Sequence, residues 1–270
     1  MKKIVLFLAC VFPASSYALE TDPWFGNENE FESNFSYFHQ SYDCVDTKTG
    51  TVSRKSNDSF AKLALGLASE RNYHGEFECV FADTKEREFG LESFSLLGRY
   101  LLFNDVIGDP FSLTLGVSTT FLPSATLRDP SSLRHSHLEG ELHLSIGKEQ
   151  ERAWSWNSRY WTMLAFGSGN KGSPWLRGFF AWEKNIHESQ YLRLFAEGRC
   201  GFGSRSLERV TNFPGYRSLA YETFDFGVKY HYVFDYWGTF GLEYMRRTYA
   251  KFTPKGLNRI TVSYELPFSL

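Results

Sequence analysis

From Asn258 to Leu270 the chain alternates: Ile260, Val262, Tyr264, Leu266, Phe268 and Leu270 share one parity, and Arg259, Thr261, Ser263, Glu265, Pro267 and Ser269 the other. A period of two with one apolar face is the signature of a β-strand. The same reading, punctuated by turn residues, gives twelve candidate strands. They cover Glu30 to Asp43, Asp58 to Ser69, Asn72 to Ala82, Gly90 to Phe103, Phe111 to Leu122 and Ser136 to Gly147. The rest cover Ala153 to Phe166, Pro174 to Lys184, Gln190 to Gly201, Ser218 to His231, Trp237 to Tyr249 and Asn258 to Ser269. Taken alternately, the intervening segments form one set, 44–57, 83–89, 123–135, 167–173, 202–217 and 250–257, that contains the three longest, and another, 70–71, 104–110, 148–152, 185–189 and 232–236, that is uniformly short.

A last strand that ends the chain with hydrophobes at every second place resembles the closing strand of bacterial outer-membrane β-barrels. The resemblance implies an all-β fold: a transmembrane antiparallel up-and-down β-barrel of about 12 strands, with ~10 to 14 as the range. Such a sheet has to close, because an open edge is untenable in hydrocarbon. It also implies short periplasmic turns, long outer loops at 44–57, 123–135 and 202–217, and both termini in the periplasm. The bilayer and lipopolysaccharide are the implied surroundings, and the outer-membrane insertion machinery the implied partner during assembly.

Parity divides the residues between lipid and lumen. Glu139, Glu141, His143, Arg159, Arg193, Glu197, Arg199 and Glu243 fall on the lumenal side, opposite runs such as Leu138, Leu142, Leu144 and Ile146. Charges of both signs there read either as an ion-pair network filling a narrow bore or as a polar constriction that sorts solutes. At the strand ends, Trp154, Trp156, Trp182 and Trp237 on one side and Trp175 on the other are expected to form the aromatic belts of the two membrane interfaces.

The first 18 residues, with Lys2, Lys3, an apolar run, and Ser16 and Ala18 ahead of the cut, read as a cleaved secretory signal peptide, so the protein is exported. Residues 19–29 form an acidic leader with no fold of its own, and 30–270 the barrel. Beyond the signal no run approaches the ~20 apolar residues of a membrane helix. The chain is nevertheless 18% aromatic at a mean hydropathy of −0.35, as expected if apolar residues alternate with polar ones. With Lys2 and Lys3 in the signal, acids outnumber bases in the remainder, which points away from nucleic acid. Cys44, Cys79 and Cys200 are an odd number, so no disulfide framework is expected, although a Cys44 to Cys79 bridge stays possible.

One stretch carries candidate chemistry. In His143-Leu-Ser145-Ile-Gly147-Lys148 a histidine stands two before a serine, and Asn157 follows twelve after the serine. A base beside a hydroxyl, with a third group orienting the base, is how a weak nucleophile is activated. The segment resembles the active-site stretch of outer-membrane phospholipase A, which implies Ser145 as nucleophile, His143 as base, Asn157 as orienter and calcium activation. The loop segment departs from that family in having Lys148 and Ala153, and parity turns all three residues toward the lumen. The leading expectation is therefore a non-enzymatic barrel without cofactor or metal: a narrow channel for small polar solutes, or a structural, surface-exposed protein. A calcium-dependent lipid esterase is the alternative.

Overall fold

Alternating side chains send each strand's two sets of residues to opposite faces, and a sheet that closes on itself turns one face inward. The computed structural model describes residues 22–268 apart from 27–28, 70–71, 153–154, 188, 212 and 235–236; the expected signal peptide lies outside them. In order the strands are β1 (Phe31–Thr47), β2 (Gly50–Ser69), β3 (Tyr73–Thr84), β4 (Arg87–Phe103), β5 (Ser112–Phe121), β6 (Leu138–Arg152) and β7 (Ser155–Gly169). After them come β8 (Trp175–His187), β9 (Gln190–Gly201), β10 (Glu222–Val233), β11 (Thr239–Lys251), the two-residue β12 (Pro254–Lys255) and β13 (Asn258–Phe268). The long strands pair antiparallel with their sequence neighbours. β1 pairs on one side with β2 and on the other with β13, from Phe31↔Phe268 to Ser41↔Asn258, and this closes a twelve-stranded up-and-down barrel.

Outside, Leu63, Leu65 and Leu67 on β2, Leu142, Leu144 and Ile146 on β6, and Leu242 and Tyr244 on β11 are exposed as an apolar band. Inside, the same strands bury Lys62, Glu139, His143, Ser145, Glu243 and Arg247. Among the described residues no helix is long and apolar enough to cross a membrane. All three cysteines after the expected cleavage site are free.

Two expectations are corrected. The segment 44–57 is not a loop: β1 and β2 continue through it as a paired ladder, Cys44↔Ser53 to Thr47↔Gly50, turning at Lys48 and Thr49. Residues 51–57 are mostly polar on both parities, and strand above the hydrocarbon needs no apolar face, so the alternation that marks the other strands is missing there. The second concerns β6 and β7, where a bulge falls between Gln150 and Glu151. It leaves Asn157 outside the ladder, with its Oδ1 accepting from Lys184 Nζ on β8. Asn157 is itself the bulged residue, so the alternation does not fix its direction, and its side chain is taken up by Lys184 and not by His143.

Candidate functional site

The inner wall is built from side chains that the period of two delivers at alternate positions. Of the residues expected there, Glu139, Glu141, Arg159, Arg193, Glu197, Arg199 and Glu243 are drawn into ion pairs, and His143 is buried without one. Arg159 Nε lies 2.9 Å from Glu149, Arg193 Nε 2.6 Å from Glu183, Arg199 Nη2 2.7 Å from Glu197, and Arg259 Nη2 3.4 Å from Glu243. Arg177 holds Glu141, Arg247 holds Asp225 at 2.8 Å, and Lys62 holds Glu78 at 2.6 Å. Several of these pairs are set by register, since Glu149 and Arg159, Glu183 and Arg193, and Asp225 and Arg247 are direct cross-strand partners. The interior is thus charged yet nearly self-neutralised.

At the end that carries the two longest connections, 122–137 and 202–221, those connections fold inward over the bore. Tyr216 Oη donates to the Pro130 carbonyl at 2.6 Å, His135 Nε2 and Tyr221 Oη lie 2.9 Å apart, and Thr84 Oγ1 donates to Asp129 at 2.7 Å. Beneath them Leu207, Val210, Phe213, Tyr216, Leu219 and Tyr221 join Tyr42, Val45 and Met245 in one buried apolar cluster. Trp175 belongs to this inner assembly. It is 5% exposed, stacks on His135 with centroids 4.1 Å apart, and donates from Nε1 to Glu141 at 3.3 Å. Its expected place in the outer aromatic belt is therefore corrected: the inward parity that carries Arg177 and Glu183 also carries Trp175. Trp182 and Trp237 are exposed on the outside, at 37% and 76%. Trp156 is half-buried beneath the Arg159 guanidinium, 4.0 Å from its centroid. Trp154 lies outside the described residues.

The opposite mouth is filled by residues the sequence left without structure. Asp22 to Gly26 enter the bore: Arg99 Nη1 donates to the Asp22 carbonyl at 2.8 Å and Thr114 Oγ1 to the Pro23 carbonyl at 2.9 Å. Phe25 lies under the Arg99 guanidinium at 4.9 Å. Trp24 meets Trp161 edge to face at 5.8 Å, lies 5.4 Å from the Arg159 guanidinium, and donates from Nε1 to Asp105 Oδ1 at 2.9 Å. Gly147 makes room for it, since a Cβ there would sit 2.7 Å from Pro23 and 2.9 Å from the Trp24 ring. The signal available in the sequence was an aromatic pair, Trp24-Phe25, inside an otherwise polar leader.

Asp105, in the turn between β4 and β5, anchors this insert. Burial pushes its carboxyl up, but hydrogen bonds from Ser112 Oγ, the Glu149 amide and Trp24 Nε1, with Lys148 Nζ 3.7 Å away, outweigh that and hold it below the usual carboxylate range. A lowered folded value contributes stability that is complete above the unfolded value of about 3.9 and is lost as pH falls through the folded one. The insert is therefore expected to stay docked from neutral pH down to about 4 and to loosen only below it. Trp24 fluorescence, taken as the difference from Trp24→Phe, checks this; release near pH 6 would contradict it.

The candidate catalytic residues are not assembled. His143 and Ser145 are buried, at 2% and 1% exposure, and face the lumen, where neither imidazole nitrogen nor the Ser145 hydroxyl has a hydrogen-bond partner. The His143 ring fills the space left by Gly116, where a Cβ would come within 2.2 Å of Nε2. Asn157 sits eight residues along β7 from Ala165, the cross-strand partner of His143, a distance of about 26 Å at ~3.3 Å per residue. Among the described residues no cluster of His, Cys, Asp and Glu is arranged to hold a metal ion.

The closed sheet, apolar outside and ionic inside, has counterparts among solved structures. An outer membrane channel of Pseudomonas putida F1 (COG4313) superposes with a TM-score of 0.69 at 13% identity, over 93% of this chain and 100% of that one. The chain has the fold of a bacterial outer-membrane barrel. The NanC porin matches at a TM-score of 0.57 and 6% identity over 86% of this chain and 99% of its own, and the KdgM porin in complex with disordered oligogalacturonate at 0.52 and 12% over 87% and 99%. No family model and no curated protein matches the sequence. At these identities the likeness of the barrel to its neighbours is one of architecture.

Proposed function

We propose that this barrel resides in the bacterial outer membrane and is a narrow, non-enzymatic channel for small polar solutes, held closed by inserts at both mouths. The observation that carries the reading is the contrast between its faces: an apolar band outside and an ion-paired, hydrogen-bonding bore inside. A barrel that served only as a scaffold could fill its interior with apolar side chains, at no cost in charge desolvation. On this reading the two long connections face outward toward lipopolysaccharide, the termini are periplasmic, and assembly uses the outer-membrane insertion machinery. The KdgM neighbour is named for a complex with oligogalacturonate; here each lumenal arginine named above is matched by a carboxylate, which does not favour a polyanion.

The test is solute uptake by liposomes carrying the refolded mature protein, with phospholipid hydrolysis followed in the same preparations. Uptake of small sugars or amino acids that is unaffected by Ser145→Ala, without lipid release, is the expected outcome. Impermeable vesicles combined with Ser145-dependent lipid release would reject the channel and favour the esterase.

A further inference from the structure

Between the inward-folded connections and the barrel wall lies a cavity of about 50 Å³, bordered by Glu78, Glu139 and Glu141 and by Arg134, Arg177 and Arg199. We propose that this cavity, with the Arg177–Glu141 pair at its centre, is the selectivity filter of the channel and that it admits small polar solutes of zero net charge in preference to anions and cations. The inference rests on the channel reading and names the solute class for it.

Three observations carry it. First, carboxylates and guanidiniums border the cavity in equal number, and each is already engaged. Arg177 is held by Glu141, Arg199 by Glu197 at 2.7 Å, Arg134 by Glu139 at 3.4 Å and Glu78 by Lys62 at 2.6 Å. An ion entering such a site loses hydration and finds no uncompensated counter-charge to replace it. Second, the charges stand on different walls, Glu78 on β3 against Arg177 and Arg199 on β8 and β9. A dipolar or hydroxylated solute can meet both, whereas an ion is favoured by one and opposed by the other. Third, hydrogen-bonding capacity is left over: Arg177 is 6% exposed, yet its Nη1 has no partner. Ser118 and the hydrogen-bonded pair Ser95 and Thr120, 3.0 Å apart, add hydroxyls to the lining. The volume corresponds to about four water molecules at ~10–15 Å³ each, which sets the scale of a group that fits without displacing the connections above.

Reversal potentials in a KCl gradient across planar bilayers test the assignment, on wild type and on a Trp24→Ala background. The parent is expected to discriminate little between K⁺ and Cl⁻. Glu141→Gln should move the permeability ratio toward anions and Arg177→Gln toward cations, each by about fivefold, the factor for one unit charge met at ~4 Å in a water-like medium. Ser118→Lys and Ser118→Asp, which leave every ion pair intact, should reproduce those two directions if the pair variants fail to fold. Glycine should enter liposomes faster than glycolate or guanidinium, ions of similar size. Conducting barrels whose charge preference ignores all four variants, or a parent with strong ion preference, would overturn the filter and leave the channel standing. Absence of conductance from parent and variants alike would reject the channel, and the filter with it.

Discussion

Trp24→Ala is expected to convert a nearly silent barrel into one that conducts severalfold more, with the increase coming from longer open periods. The insert is held by few contacts, and three of them converge on this one ring: the Asp105 hydrogen bond, the edge of Trp161 and the face presented to Arg159. Truncating a well-packed tryptophan costs ~3–5 kcal/mol; because Trp24 is only half-buried, about 2–3 kcal/mol is the reasonable share. At about 1.4 kcal/mol per factor of ten, that moves the ratio of docked to undocked insert by roughly 30- to 150-fold. Barrel stability should hardly change, since the insert lies apart from the strand ladders. Planar-bilayer recording gives the first quantity and urea unfolding the second. Unaltered open probability would show that residues 22–26 do not obstruct the path.

Arg247→Met should produce the largest loss of stability in the lumen, about 3–5 kcal/mol, as expected when one partner of a buried ion pair is removed. Arg247 binds Asp225 through two hydrogen bonds, 2.8 Å from Nε and 2.9 Å from Nη2, and both side chains are at least nine-tenths buried. The loss comes chiefly from the abandoned carboxylate, so Arg247→Met with Asp225→Leu should recover most of it. The midpoint of urea unfolding in detergent, read from the shift in electrophoretic mobility of unheated samples, measures both. A double variant as unstable as the single would show that the packing of the arginine stem, and not the pairing, is what matters.

Asn157 and Trp175 mark where parity counting stops working. Along an uninterrupted strand it holds, and Arg193, Glu197 and Glu243 stand inside as the alternation requires. Asn157 is the extra residue opposite Gln150 and Glu151, its side chain bonds Lys184, and no residue type in that stretch announces the bulge. Its place at a strand end puts Trp175 in a belt, whereas the parity it shares with Arg177 puts it inside, and the stack with His135 depends on where residues 122–137 lie.

By itself the sequence determined the barrel and the charged character of its bore, because both follow from a local rule: adjacent residues on a strand face opposite sides, and lipid tolerates one set only. The hairpin that prolongs β1 and β2, the inward fold of the two long connections and the docking of Asp22 to Gly26 were decided by the tertiary structure. The last two depend on partners remote in sequence, such as Trp24 with Asp105, Tyr216 with Pro130 and His135 with Tyr221. The β1–β13 pairing closes the sheet around those partners, and closure is what turns a polar sheet face into an enclosed space that loops and leader can fill.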